Sequence, residues 1–153
     1  MLEKPAGKWC QHCKPGAGCT IYESRPDPCR EFECLWLVDS AGLLPEEARP
    51  DRSKLMFDIQ QGGDSGLRQF VRAFELAPGA AQKPAGRRLI DAIRRRGQLI
   101  ATFPPNQTPG LLIFPPGQLQ HVREQGLREG AITATRDPDV YRCTHKFSDP
   151  DQD

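Results

Sequence analysis

An α+β fold is expected for this chain, and three observations predict it. Five of the six cysteines fall between Cys10 and Cys34. Apolar alternation on either side of a glycine-rich turn near residue 63 reads as an antiparallel strand pair. From residue 84, apolar residues recur at helical spacing with arginines largely off that face. Together they predict a Cys-rich metal-binding N-terminal module packed with a small antiparallel β-sheet covered by one or two helices. The expected divisions are 1–40 for the module, 41–136 for an α+β body of order β-β-α-β-β, and 137–153 for a polar, loosely held tail.

Within the module, residues 1–8 are a lead-in. Lys14-Pro15-Gly16-Ala17-Gly18 is a turn that reverses the chain. Cys19-Thr20-Ile21-Tyr22 has short β character. Asp27 as N-cap and Pro28 at the first helical position start a helix over about 29–38. Phe32, Leu35 and Trp36 form its apolar stripe, and Gly42 and Pro45 end it.

Residues 41–53 read as a crossing loop, and Leu55 to Ile59 as a strand. Gln60 to Gly66 is the turn, and Leu67 to Leu76 the second strand, with Phe70, Arg72, Phe74 and Leu76 on one face. Pro84 to Gln98 is the clearest helix. Leu89, Ile90 and Ile93, followed by Leu99, make its apolar face, and Gly97 stops it. Leu99 to Phe103 and Leu111 to Phe114 are two more strands across a proline-rich loop. Residues 118–128 are a short helix.

Composition narrows the function classes. The chain has 153 residues, 37% hydrophobic, and 29 Gly plus Pro. A typical globular domain is about 45–50% apolar, so loops are plentiful and the core is modest. The first forty residues are too few for a core of their own, and a metal cross-link is the staple they need. Net charge is +1, with no general pull toward nucleic acid or acidic membranes. Lys83 to Arg96 holds six basic residues against Asp91, read as a solvated helix face. The stretch MLEKPAGKW lacks the apolar run of a signal peptide, and no stretch approaches a membrane span of ~20 apolar residues. A cytoplasmic location is therefore expected, where thiols stay reduced, which favours metal over disulfides.

The cysteines are spaced Cys10-x-x-Cys13, then Cys19, Cys29 and Cys34. A C-x-x-C turn converges two sulfurs on one ion. Zinc closes its tetrahedron with four such ligands at about 2.3 Å from each sulfur. Thiolates also suit iron or an iron–sulfur cluster, and charge does not choose between them. Five cysteines compete for four positions. In one regular helix Cys29 and Cys34 would stand about 140° apart. Cys10, Cys13 and Cys29 are the first ligands; the fourth is Cys19 if the helix starts by Cys29, and Cys34 if it starts later. His12 lies inside the turn and is expected to point away. Arg25 and Arg30 are placed to donate to sulfurs or carbonyls, and Tyr22 and Phe32 to wall the site from water.

The run from Cys19 to Cys34 carries a resemblance. Read as C-x-I-Y-x-x-R-P-x-x-C-R-x-F-x-C, it resembles the second half of the YkgJ-type zinc- or iron-chelating family with its CxxCxxCC pattern. The resemblance spans about 25 residues with the front half. It implies that Cys19, Cys29 and Cys34 are all metal-site cysteines, joined by Cys10 and Cys13, with Tyr22, Arg25 and Arg30 in support. The sequence departs from the family at the front, where Lys14-Pro15 follows Cys13 and no adjacent Cys-Cys pair stands. The family names a site rather than a reaction.

No nucleophile elbow, phosphate loop or dinucleotide fingerprint is present. Cys143-x-His145 is a weak pair that would bring a late ligand to the site, with an isolated cysteine as the simpler reading. His121 stands alone. The expected function is a cytosolic metal-binding protein with a structural zinc site, with iron–sulfur electron transfer or enzyme accessory, and metal handling, as alternatives. No reaction is assigned. The expected partner is the metal ion; neither membrane nor nucleic acid is expected, and the sequence names no protein partner.

Overall fold

The computed structural model describes residues 10–14, 18–39, 42, 44–61, 69–105 and 110–144. Its body is a six-stranded sheet of order β3-β4-β5-β6-β8-β7. The strands are β3 (Leu55–Gln61), β4 (Gln69–Glu75), β5 (Ile100–Phe103), β6 (Leu111–Ile113), β7 (Ile132–Ala134) and β8 (Val140–Cys143). A two-stranded hairpin, β1 (Cys13–Lys14) and β2 (Gly18–Cys19), stands apart from it. The helices are α1 (Asp27–Glu31), α2 (Leu35–Val38), α3 (Pro50–Ser53), α4 (Pro84–Arg94) and α5 (Gln120–Arg128). Among the described residues, no helix is long and apolar enough to cross a membrane.

The α+β class stands, but the sheet is mixed rather than antiparallel. β3 and β4 form the expected antiparallel hairpin, from Leu55 opposite Glu75 to Gln61 opposite Gln69. The turn between them, 62–68, lies outside the described residues. β4 then pairs with β5 in parallel, Val71 beside Ile100 and Phe74 beside Phe103. Parallel neighbours need a crossover, and α4 supplies it. The helix starts at Pro84, whose fixed φ suits the first helical position. It ends at Arg94, and Gly97 follows at φ +82°, a left-handed conformation that favours glycine.

Two clusters hold the sheet, one on each face. Leu89, Ile90 and Ile93 of α4 pack on Leu55, Phe57, Val71, Ala73, Ile100 and Ile113. These strand residues share a face because side chains alternate with a period of two. Leu99, Phe114, Ile132 and Tyr141 form the second cluster, with Leu119 and Val122 from the start of α5 against it. Phe114 and Tyr141 meet edge to face with centroids 5.5 Å apart. Helices therefore cover both faces.

The expected loose tail is corrected by β8. It lies between β6 and β7, with Leu111 opposite Arg142 on one side and Ile132 opposite Cys143 on the other. A strand bonded on both edges is part of the body. Its sequence, VYRC, alternates too briefly between Asp139 and Thr144 to announce itself, and β7 is as short. Residues 145–153 lie outside the described residues.

Two tight features pin this sheet. Asp58 and Arg72 face each other across β3 and β4, with Nε–Oδ1 at 2.8 Å and Nη2–Oδ2 at 2.6 Å. The Asp58 side chain is 8% exposed, so its charge depends on this two-point contact. Gly110 sits where a Cβ would fall 1.7 Å from the Thr102 carbonyl oxygen. That approach lets the Leu111 N–H bond Thr102 Oγ1 at 2.8 Å and the Gly110 carbonyl accept the Cys143 N–H at 3.0 Å.

Arg72→Ala strands a buried carboxylate and should lower unfolding free energy by about 3–5 kcal/mol, read from urea denaturation. Gly110→Ala should cost more than the ~1–3 kcal/mol of ordinary overpacking, because backbone must move. A wild-type denaturation midpoint for Gly110→Ala would contradict that close approach.

Candidate metal centre

The cysteine segment begins with a knuckle. The Cys13 N–H donates to the Cys10 carbonyl at 2.9 Å and closes the C-x-x-C turn. Inside it, the His12 N–H points at Cys10 Sγ, 3.4 Å away. A backbone donor aimed at sulfur stabilises charge on a thiolate.

The chain then reverses through β1 and β2, placing Cys13 directly opposite Cys19. The Thr20 N–H donates to the His12 carbonyl at 2.8 Å, and the Thr20 hydroxyl to the same oxygen at 3.1 Å. In an antiparallel ladder, bonded and non-bonded pairs alternate. Residues 12 and 20 are a bonded pair, so Cys13 and Cys19 are a non-bonded one. Such partners have Cα atoms about 4.5 Å apart and side chains on the same face.

After β2 a single 3₁₀ turn, Tyr22–Ser24, leads to α1. Two arginines lock this turn. Arg25 Nη1 donates to the Tyr22 carbonyl at 2.9 Å, and its guanidinium lies 3.8 Å over the Tyr22 ring. Arg30, on α1, donates to the Arg25 carbonyl at 2.8 Å and the Glu23 carbonyl at 2.9 Å. Both arginines thus serve carbonyls and hold the backbone on which the sulfurs ride. Tyr22 and Phe32 are 57% and 45% exposed, so they do not wall the site from water as expected.

The single helix expected over 29–38 is broken in two. α1 ends at Glu31, Phe32 and Cys34 are extended, and α2 begins at Leu35. α1 buries no residue, whereas Leu35 and Trp36 of α2 pack against the core of the body. The extended link lets the chain turn from solvent onto that core. The 140° separation of Cys29 and Cys34 therefore does not apply. Cys29 is exposed in the first turn of α1, with its N–H bonded to the Pro26 carbonyl at 2.9 Å. Cys34 is buried at 6% exposure immediately before α2. Asp58, not singled out from sequence, lies beside this junction. With Ile59 and Glu31, Phe32, Glu33, Leu35 and Val38 it lines an open cleft of about 370 Å³. Opposite charges at facing positions of the 55–76 hairpin were the signal for it.

All five thiols, Cys10, Cys13, Cys19, Cys29 and Cys34, are free. The hairpin sets Cys13 opposite Cys19, and the knuckle bonds the Cys13 N–H to the Cys10 carbonyl. Among the described residues, no three Cys, His, Asp or Glu side chains are gathered as ligands of one ion. The donor set suits zinc or iron by its sulfur chemistry.

The remaining candidates resolve plainly. Cys143 is buried in β8, and burial pushes its thiol up to about 11 from 9.0. A neutral thiol inside a sheet is a core side chain and a poor ligand. His145 lies outside the described residues. His121 is exposed on α5. Of the arginine-rich helix, Arg87, Arg88, Arg95 and Arg96 are exposed. Arg94 instead joins Asp91 at 3.0 Å and Asp139 at 3.6 Å, tying α4 to the turn before β8.

Comparison with family models, with curated proteins and with solved structures gives no match.

The Cys143 thiol has a pH consequence. Native protein keeps the proton from about pH 9 to about pH 11, the window in which the unfolded chain loses it. The stability from this group is whole below pH 9 and declines toward pH 11, by on the order of 2–3 kcal/mol. Cys143→Ala should remove that part of the alkaline decline, measured by urea unfolding across the window.

Proposed function

We propose that this chain is a metal-binding protein whose N-terminal thiolates hold a structural ion, zinc before iron. The observation that carries the reading is the Cys10–Cys13 turn with a backbone N–H on Cys10 Sγ, joined by Cys19 opposite Cys13. Cys29 and Cys34, ten and fifteen residues after Cys19, offer the remaining donors. The likeness of residues 19–34 to the YkgJ-type pattern supports the same reading.

Energetics support a structural role. Outside Cys34, the described cysteine segment from 10 to 34 buries no side chain. A structural zinc contributes on the order of 10–16 kcal/mol in small modules. With so little apolar burial, an ion would decide whether the hairpin, the turn and α1 are held to one another. Once bound, zinc would supply a fixed cross-link and no reaction. The chain's own part is to offer sulfurs, direct a backbone N–H at one of them, and hold the loop with Arg25 and Arg30.

The exposure of Cys19 and Cys29 favours one second reading. Ligands open to solvent exchange readily, as metal handling requires.

Elemental analysis of full-length protein should find stoichiometric zinc and no broad visible absorption; a brown, iron-rich sample would move the reading to iron–sulfur. Cys10→Ser and Cys13→Ser should each lose the metal. Chelation should open the segment to proteolysis while the sheet stays resistant. If the segment keeps its protection after complete metal loss, the structural role fails. Rapid transfer of zinc to a competing chelator would favour handling.

A further inference from the structure

We propose that Cys13 and Cys19 form a dithiol site that closes to a cross-strand disulfide on reaction with a small disulfide oxidant, such as glutathione disulfide. The register places the two residues opposite each other at a non-bonded position of the β1–β2 hairpin. Their Cα separation, about 4.5 Å for such a pair, falls within the roughly 4.4–6.8 Å that a disulfide spans. Five residues lie between them, so ring closure costs little chain entropy beyond what the β1–β2 pairing has already spent.

Access assigns the order of events. Cys19 is exposed and Cys13 half-buried, whereas Cys34 and Cys143 are buried from an oxidant. The Cys19 thiolate attacks one sulfur of the oxidant, and the other sulfur leaves as a thiolate. Cys13, after giving its proton to solvent, attacks the Cys19 sulfur of the mixed disulfide and expels the second thiolate. Two cysteine thiols are oxidised, and one disulfide is reduced to two thiols.

The same two sulfurs belong to the proposed metal site. The disulfide itself stands without the metal, but one consequence rests on that reading: a sulfur in a disulfide has no thiolate to offer an ion. Closing the pair would release the metal, and bound metal would guard the pair from oxidation.

Chelator-treated full-length protein is incubated with glutathione disulfide, its remaining thiols are alkylated, and the bond is located by fragmentation mass spectrometry. The expected product has lost two hydrogens and carries a Cys13–Cys19 bond. That bond is absent from Cys19→Ser and retained in Cys10→Ser and Cys29→Ser. A Cys10–Cys13 bond, or a glutathione adduct on Cys19 that never closes, overturns the proposal. Circular dichroism of Cys19→Ser checks that its sheet is intact, as an exposed position allows. In a second arm, zinc-loaded protein should oxidise about tenfold more slowly, and the oxidised chain should take up no zinc. If the pair closes but zinc neither slows it nor is excluded by it, the dithiol stands and the metal reading falls. If zinc binds but the pair never closes, the dithiol falls and the metal reading stands.

Discussion

The seating of α4 on β4 and β5 decides the order of the whole sheet. Leu89, Ile90 and Ile93 cover Val71, Ala73 and Ile100, and burying three such side chains contributes roughly 5–9 kcal/mol. With the helix on that face, β5 lies parallel to β4. β6 then returns beside β5, and β8 fills the place between β6 and β7. Arg94 extends the same constraint by linking the helix to Asp139, just before β8.

The cysteine segment depends on this core because it has none of its own. Its attachment is α2, where Leu35 and Trp36 join the cluster beneath α4. The Arg49 guanidinium stands 5.8 Å over the Trp36 ring and fixes it further. Cys34 lies one residue before this anchor and is buried with it. The four cysteines before it ride on a hairpin, a turn and α1, which are held by backbone hydrogen bonds and two arginines. This division gives the segment one fixed end and a solvent-facing remainder.

Much of the body was legible because its signals are local. The glycine-rich turn between alternating runs marked the β3–β4 hairpin, and the Leu89-Ile90-Ile93 stripe marked α4. Strands β7 and β8 were not legible, since three or four residues among polar neighbours take their strand character from the partners they pair with. The parallel pairing of β4 with β5 was hidden for a related reason, as no single strand records its neighbour's direction. The helix break at 32–34 was also invisible. Nothing local forbids a helix there, and the break follows from the need of Leu35 and Trp36 to reach a core built by residues far along the chain.

The chemistry of the site belongs to the sequence alone. Five thiols in 25 residues, one C-x-x-C spacing and the glycine turn set which atoms are available, because residue type and short-range spacing carry that information. Tertiary structure decided how they differ. It buried Cys34 beside the sheet, left Cys19 and Cys29 in water, and sealed Cys143 in β8 as a neutral thiol. It also set Cys13 against Cys19 through the β1–β2 register, which the Thr20 N–H and hydroxyl support by donating to the His12 carbonyl. Burial and register arise from which segments meet, and that is settled only when the chain has folded.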